Sequence, residues 1–348
     1  MWIADEWKDY RVLDCSDGEK LEMWGPYKLL RPDPQVIWNT PKNDKVWKGL
    51  NAHYHRSQKG GGEWEFFDLP EQWNISYKDL TFNLKPFSFK HTGLFPEQAV
   101  NWDWMRGRIR AALDRDPARK LNILNLFAYT GGATIACAKE GAPDQVNAAQ
   151  ANRTSQATHV AHASQVSQMQ QGSQVLQGSR APQGSQVTQG PEGYRVSVTH
   201  VDASKGMVGW AKENAAISGL AEAPIRYIVD DCKKFVEREI RRGNKYDAII
   251  MDPPSYGRGP KGEIWKLEES LYPFVELCSE LLSDNAEFVL INSYTTGLQP
   301  AVLAYLLGSI VIPKHKGRVE ADEIGLPVEA SGLVLPCGAS GRYYSCEG

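Results

Sequence analysis

The sequence predicts an α/β fold in which a twisted, mainly parallel sheet carries helices on both faces. Two observations predict it. Between residues 195 and 291, short apolar runs alternate with helical patterns, as they do in strand–helix–strand units. Upstream, residues 121–134 (LNILNLFAYTGGAT) join an apolar run to the turn Tyr129-Thr130-Gly131-Gly132 and then to a helix start. We expect this stretch to be the first strand, turn and helix of the sheet.

The glycine turn is the first candidate binding element. Glycine has no Cβ, so the turn can be tight and a ligand can approach the backbone, while the free N–H groups of a helix start favour electron-rich ligand atoms. A turn between the first strand and helix of such a sheet is where cofactors bind. We therefore interpret this turn as a cofactor cradle.

The composition is that of an ordinary globular protein. With 348 residues, 42% hydrophobic and 23% charged, the chain can form one large domain and a smaller one. The N-terminal stretch lacks the apolar segment of a signal peptide, and the longest apolar run, 301–312, is short for a membrane span. We therefore expect a cytoplasmic protein. Six cysteines form no CxxC pair, which argues against a zinc ribbon, and the net charge of -3 neither supports nor excludes RNA as a partner.

Residues 1–85 are predicted to form a small β-rich domain, and residues 86–348 the larger one. The first region holds seven of the eleven tryptophans, with proline and glycine between short β-prone runs. These rings can stack on bases, but large aromatics are more often core residues. His53 and His55 precede a glycine-rich tip. Because no third ligand is evident nearby, we interpret them as part of a polar loop and predict no metal site.

Residues 87–101 are predicted to be a loop that leads into a helix, with Pro96 suited to the first turn. That helix carries Arg106, Arg108 and Arg110. They form either a basic face for RNA phosphates or an ordinary solvated surface.

Residues 142–193 interrupt the larger domain with a low-complexity tract. Gln, Ser and Ala dominate it, and GSQVLQ, GSRAPQ and GSQVTQ repeat with a six-residue period. Three imperfect units are too few for a parallel β-helix, and the tract cannot bury enough apolar surface to offset its ordering entropy. We predict a disordered insertion, placed at the sheet edge opposite the ligand crevice.

The remaining elements follow in strand–helix order. We predict helices at 130–140, 204–218, 233–242 and 267–281, and strands at 195–201, 225–229, 246–251 and 287–291. Residues 318–344 are expected to form two further strands.

The choice of cofactor depends on which motifs are missing and which acids remain. Neither GxGxxG nor GxxxxGK[ST] occurs, which argues against a dinucleotide or P-loop site. Asp202, Asp230, Asp231 and Asp252 follow successive strands at their carboxyl ends. Asp202 can accept both hydroxyls of a ribose, and Asp231 the amino group of an adenine, although an aspartate such as Asp230 can instead cap the next helix. An adenosine-containing ligand fits.

Five stretches carry a family resemblance: TGLFPEQ, NLFAYTGGAT, VDASKGMVGWAKENAAISGL, DDCKKF and MDPPSYG. In this order, the chain from about residue 85 onward resembles the class I S-adenosylmethionine (SAM)-dependent methyltransferases with a Rossmann-like sheet. It is most similar to the bacterial large-subunit (23S) ribosomal RNA methyltransferase group.

The resemblance implies a set of cofactor-binding residues. Phe127, Ala128, Tyr129, Thr130 and Gly131 would line the methionine end of SAM, and Asp202, Ser204 and Lys205 would bracket the ribose. Asp231 and Cys232 would meet the adenine, with Asp230 as the alternative acid. Gln98 and Asn125 lie in the matching stretches and complete the predicted set.

The target chemistry is expected at Asp252-Pro253-Pro254-Ser255-Tyr256, which resembles the DPP motif of nucleic-acid methyltransferases. There a carboxylate or a backbone carbonyl (Asp252, Pro253, Pro254) accepts from a base amino group while an aromatic ring (Tyr256) stacks on it. Tyr256 stands one place later than in the simpler DPPY pattern. Methylation of cytosine C5 needs a cysteine nucleophile, and DPPSYG and INSYTTG contain none. We therefore predict a nitrogen or an oxygen as the acceptor, with a base nitrogen as the leading choice.

Three functions remain open at this point. The first is methylation of ribosomal RNA, with the N-terminal region and the helix arginines helping to hold the substrate. The second is methylation of a small molecule or a protein, since the pI of about 6.2 and the lack of a known RNA-binding module fit it. The third is SAM binding without catalysis.

Overall fold

The computed structural model describes residues 1–57, 61–87, 90–143, 193–258 and 264–346. The hexapeptide repeats of the predicted insertion lie outside these residues, as does the tip that follows His55. Every structural statement below concerns the described residues.

The N-terminal region is built from strands. A sheet of five strands has the order β2-β3-β4-β5-β6, and β7 and β8 pair as a separate hairpin. The elements are β1 (Trp2–Ile3), β2 (Tyr10–Ser16), β3 (Glu19–Trp24), β4 (Tyr27–Pro32), the short helix α1 (Asp44–Trp47), β5 (Ala52–Arg56), β6 (Gly62–Phe66), β7 (Trp73–Tyr77) and β8 (Leu80–Leu84). His53 and His55 therefore lie in a strand, which corrects the prediction of a polar loop.

The rest of the described chain alternates helices and strands. It consists of α2 (Ala99–Arg115), β9 (Leu121–Leu126), α3 (Gly132–Glu140), β10 (Val196–Asp202), α4 (Lys205–Ile217), β11 (Ile225–Val229), α5 (Cys232–Arg241), β12 (Ala248–Met251), β13 (Tyr256–Arg258), β14 (Ile264–Lys266), α6 (Leu267–Ser279), β15 (Phe288–Ser293), α7 (Pro300–Ile310), β16 (Gly317–Pro327) and β17 (Val334–Ser345). None of the helices in the described ranges combines the length and the hydropathy needed to cross a bilayer.

The central sheet has the strand order β1-β16-β17-β15-β12-β9-β10-β11. β9 to β12 and β15 are mutually parallel, so their carboxyl ends meet at one edge, as the sequence predicts. β17 pairs antiparallel with both β15 and β16. The short β1 pairs in parallel with β16 at the outer edge, so the first residues of the chain belong to this sheet and not to the N-terminal one.

Local sequence signals begin several of these helices. The Ser204 side chain accepts a hydrogen bond from the N–H of Met207 and caps α4, and Asp231 caps α5 through the N–H of Lys234. Pro300 occupies the first turn of α7, where its missing N–H costs nothing. The predicted helix at 130–140 begins only at Gly132, because the preceding residues form the glycine turn.

Two cores cover the two faces of the central sheet. One unites Trp102 of α2 and Ile135 of α3 with Trp24 and Phe82 of the N-terminal strands. The other packs α5, α6 and α7 against the opposite face, with Phe274 at its centre. Trp24 is fully buried, which favours the structural interpretation of that ring. Helices thus lie on both faces, and the predicted α/β class is confirmed.

Candidate active site

The loop 127–131, between β9 and α3, has an unusual backbone. Phe127, Tyr129 and Gly131 have φ angles of 56°, 51° and 87°, and the first two are strained because side chains disfavour positive φ. Two hydrogen bonds stabilise this strained backbone. The Phe127 N–H donates to Cys232 Sγ at 3.3 Å, and the Tyr129 N–H donates to Asp202 Oδ2 at 2.9 Å. Asp202 at the end of β10 and Cys232 at the start of α5 therefore stabilise the conformation of this loop.

The two glycines are required by close packing. A Cβ on Gly131 would lie 2.9 Å from the Ala211 Cβ, and one on Gly132 would lie 2.8 Å from the Trp102 ring. Any side chain here would push α3 away from α2 and α4. The glycine pair therefore sets how deeply the helix start can sit beside the sheet edge.

A small cavity, of about 50 Å³, lies beside this loop. Seven of the residues predicted for the site line it together: Gln98, Asn125, Phe127, Ala128, Tyr129, Thr130 and Asp252. It is also lined by Leu94, Phe95, Trp102, Gly132, Ala133, Ile250 and Asn292. The remaining predicted residues lie outside this lining.

Asp202 stands at the rim and has spare acceptor capacity. Its Oδ2 accepts from the Tyr129 N–H, and its Oδ1 from the Ser204 N–H at 2.8 Å. Since each carboxylate oxygen has two acceptor sites, one on each remains for a ligand hydroxyl. Burial raises the pKa of Asp202, and the two backbone hydrogen bonds lower it. Lys205 is exposed in the first turn of α4.

The two acids after β11 have different partners. Asp231 Oδ1 accepts from the Lys234 N–H at 2.9 Å, whereas Asp230 forms an ion pair with Arg238. The residue that caps the helix is thus Asp231, not Asp230. Cys232 is buried beneath the glycine loop, and its thiol hydrogen-bonds Phe127.

The buried hydroxyl of Tyr129 provides a test of ligand fit. It lines the cavity, and no hydrogen-bond partner for it exists within the described part of the chain. A buried unpaired hydroxyl is costly, and a polar ligand group would satisfy it. Together with the spare oxygens of Asp202, it suits a nucleoside that carries a polar tail, as SAM does.

Asp252 occupies the other side of the cavity. Burial, and then the nearby Glu97 carboxylate, raise the pKa of Asp252 to about 7, against a hydrogen bond with Asn292 that lowers it. Gln98 fixes this wall, because its Nε2 donates to the Tyr294 hydroxyl at 2.7 Å and its Oε1 accepts from Asn292 Nδ2 at 3.1 Å. A carboxyl group with a pKa near neutrality can accept a proton and release it again.

Tyr256 is placed differently from the other predicted residues. It begins the hairpin β13–β14, is 51% exposed and is not among the residues that line the cavity. Trp265 of the same hairpin donates from Nε1 to the Pro254 carbonyl at 2.7 Å, and its ring lies 5.6 Å from that of Phe127. The stacking role of Tyr256 stays a prediction.

A second cavity, of about 310 Å³, adjoins the first, because Leu94 and Phe95 line both. Three cationic side chains line it: Lys20 and Arg31 of the N-terminal sheet, and Lys90. Burial and the neighbouring Lys20 lower the pKa of Lys90 to about 8. The opposite side includes Glu97, Tyr294 and Cys337.

Most of the cations at this wall are already paired. Arg31 Nε lies 2.6 Å from Glu22, and Lys20 Nζ lies 3.2 Å from Asp33. Lys90 Nζ instead donates to the Pro32 carbonyl at 3.0 Å. Lys90 therefore has a neutral hydrogen-bond partner, whereas the other two cations are paired with carboxylates. Of the three side chains, Lys90 is the most available for an anionic ligand.

The arginines of α2 contact other residues of the chain. Arg106 pairs with Asp79 and Glu140, Arg110 pairs with Glu140, and Arg108 donates to the Ser345 carbonyl. These side chains tie α2 to its neighbours. These ion pairs favour the alternative of an ordinary structural surface, and a contact of these arginines with RNA stays a prediction.

Several residues of the two cavities were missed by the sequence analysis. Phe95 and Glu97 belong to the FPEQ stretch, and Asn292 and Tyr294 to INSYTTG. The first stretch belongs to the motifs that carry the family resemblance, whereas the second predicted only the lack of a cysteine nucleophile. Lys20 and Arg31 carried no signal, because the strand pairing that brings them here is not readable from the chain.

Comparison with known proteins gives the family. No protein-family profile matches the chain. A crystal structure of a SAM-dependent methyltransferase from Agrobacterium tumefaciens shares 30% sequence identity and a TM-score of 0.77, over 99% of this chain and 93% of that one. A candidate SAM-dependent methyltransferase from Streptococcus mutans has the same fold, with 15% identity and a TM-score of 0.63 over 97% of this chain and 76% of that one.

Curated relatives are more distant. The ribosomal RNA large subunit methyltransferase K/L of Shewanella frigidimarina is 24% identical over 243 residues, which are 68% of this chain and 24% of that protein. Its counterpart from Methylococcus capsulatus is 24% identical over 241 residues, 68% of this chain and 22% of that protein. The chain thus spans about a quarter of the length of the curated relatives it matches. On the strength of the Agrobacterium structure, the chain belongs to the SAM-dependent methyltransferases, and its cofactor is SAM.

Proposed function

We propose that this protein transfers the methyl group of SAM to a base nitrogen of large-subunit (23S) ribosomal RNA, in the cytoplasm. The observation that carries the proposal is the second cavity, which adjoins the cofactor cavity at Phe95. Lys90 lines it with an amino group that donates to a neutral carbonyl, beside the carboxylate-paired Lys20 and Arg31. A flipped nucleotide needs such a pocket for its base and a cationic wall for its phosphates. The names of the curated relatives support the same substrate.

In this proposal the residues of the first cavity hold the cofactor. Asp202 receives the ribose hydroxyls on its free acceptor sites, and Asp231 with Cys232 faces the adenine, with Asp230 as the alternative. Ser204 and Lys205 support the ribose side. The loop 127–131, with Gln98 and Asn125 beside it, surrounds the methionine end. The Tyr129 hydroxyl, which has no hydrogen-bond partner among the described residues, gives the methionine end of SAM a hydrogen bond.

SAM supplies a methyl group that is already activated, so the protein has to align the acceptor and exclude water. Asp252, with its pKa of about 7, accepts the proton that an amino acceptor loses. The carbonyls of Pro253 and Pro254 stand beside it to orient that amino group, and Tyr256 or the half-buried ring of Tyr294 covers the base.

Cys337 bears on the choice of acceptor atom. It lines the second cavity, but its thiol donates to the Leu335 carbonyl, and burial raises its pKa well above the ordinary value. A thiol that stays protonated is a poor nucleophile. This supports a nitrogen acceptor over cytosine C5, which needs a covalent cysteine adduct.

Labelled SAM incubated with RNA from cells that lack the protein tests the proposal. Label should appear at one base of the large-subunit RNA as an N-methyl group. Lys90→Ala should reduce RNA affinity several-fold and lower the salt dependence by about one charge, while Lys45→Ala, which removes an exposed lysine of α1, should change neither. Label on a protein or a small molecule, with none on RNA, would refute the proposal.

A further inference from the structure

A group of histidine and carboxylate side chains lies on the N-terminal sheet, apart from both cavities. It consists of His53 and His55 of β5 and Glu65 of β6, and we refer to it as the His–Glu cluster. Each side chain offers one nitrogen or oxygen atom, and these atoms lie within 4.8 Å of one another. None of the three residues lines the cofactor cavity or the adjoining cavity, so methyl transfer does not explain the cluster.

Strand geometry brings the three side chains together. Residues two apart in a strand point to the same face, which places His53 and His55 side by side with ring centroids 3.8 Å apart. Glu65 is the cross-strand partner of His53 in the antiparallel pair β5–β6 and so projects from that face too. The third ligand thus comes from the next strand, which is why the sequence alone did not reveal it.

The contacts within the cluster are those of imidazole nitrogens facing carboxylates. His55 Nε2 lies 2.8 Å from Glu65 Oε2. His53 Nε2 lies 2.9 Å from Oε1 of Glu19, whose other oxygen is 3.2 Å from Lys42 Nζ. Two carboxylates therefore stand beside two imidazoles, a set with enough negative charge to balance a divalent cation.

We propose that the His–Glu cluster binds one divalent transition-metal ion of the zinc class, with His53, His55 and Glu65 as protein ligands. Imidazole nitrogens with a carboxylate oxygen form a donor set that suits such ions. Tetrahedral bonds of about 2.0–2.2 Å hold ligand atoms roughly 3.4 Å apart, so small rotations of partly exposed side chains complete the site. Glu19, which contacts His53 and Lys42, is not part of this ligand set. A bound ion links β5 to β6 and stabilises the edge of the N-terminal sheet.

Titration calorimetry of the full chain with Zn²⁺ tests this proposal. One ion should bind per chain, and the melting temperature should rise with metal, since binding only the folded state stabilises it. His55→Ala and Glu65→Gln should each weaken binding by about tenfold or more, because even outer-shell losses cost that much. His315→Ala, which removes an imidazole outside the cluster, should bind as the wild type does.

Two controls keep the result interpretable. Unchanged SAM affinity in each variant shows that it is folded. Cys346 is an exposed thiol, so the titrations are repeated in a Cys346→Ser background with Co²⁺, whose spectrum should lack the thiolate charge-transfer band. Absence of one-to-one binding, an affinity unchanged by His55→Ala and Glu65→Gln, or binding that disappears with Cys346 would each overturn the proposal.

Discussion

The two sides of the cofactor cavity treat their carboxylates in opposite ways. On the β10 side, Asp202 is half-buried and both of its oxygens accept backbone N–H groups. On the β12 side, Asp252 is also half-buried, but burial together with Glu97 raises its pKa to about 7. The first arrangement keeps an acceptor in a fixed position, whereas the second makes a group whose charge can change near neutral pH. Under the proposed function, cofactor binding and proton transfer would therefore be carried out by different acids.

The largest expected effect separates these two roles at Asp252. Asp252→Asn keeps the shape but cannot accept a proton, so the rate of methyl transfer should fall by about 100-fold or more. SAM affinity, measured by calorimetry, should stay within about threefold of the wild type. A loss of SAM affinity as large as the loss of rate would erase the distinction between the two sides.

The converse change is Asp202→Ala. Loss of hydrogen bonds from ribose to a charged group should weaken SAM binding by about 10- to 100-fold, as calorimetry would measure. Glu222→Ala is the matched variant, since it removes an exposed acid that has no part in the proposed site, and it should have a much smaller effect. Equal losses in the two variants would argue against a specific ribose contact at Asp202.

A pH profile sharpens the comparison further. Because the charged form of Asp252 accepts the proton, the rate at saturating SAM and RNA should rise about tenfold per pH unit up to about 7 and then level off. Asp252→Asn should lose this limb of the profile, and Asp202→Ala should retain it.

The same pKa shift affects stability with a definite sign. A carboxyl group whose pKa is raised on folding stabilises the folded state below its ordinary pKa near 4, and this contribution is lost as the pH rises through about 7. Melting curves should therefore show Asp252→Asn gaining on the wild type between pH 5 and pH 8. A wild-type advantage that grows over this range would contradict the raised pKa.

The smallest expected effect concerns Cys337. If the acceptor is a nitrogen, Cys337→Ser should leave the rate of methyl transfer within about threefold, because the half-buried thiol takes no covalent part. An inactive but folded variant, or a covalent RNA adduct trapped on Cys337, would contradict a nitrogen acceptor and indicate methylation of cytosine C5.

The sequence predicted the cofactor side better than the acceptor side, for a physical reason. The glycine loop and Asp202 depend on local turn chemistry and on strand ends, which a linear pattern records. Glu97, Tyr294 and Lys20 come together only through the packing of segments distant in the chain. A run of arginines such as that of α2 does not reveal its partners, which here include Asp79 and Glu140, so the sequence could not choose between an RNA face and a structural surface.

The pairing of β1 with β16 has a consequence for dissecting this protein. The first strand of the chain shields the flank of a sheet whose other strands begin more than a hundred residues later. A fragment that starts at residue 86 would leave the amides of β16 open to strands of other molecules, a recognised route to aggregation. To shorten this protein, deleting residues between α3 and β10 is therefore preferable to removing the amino-terminal strand.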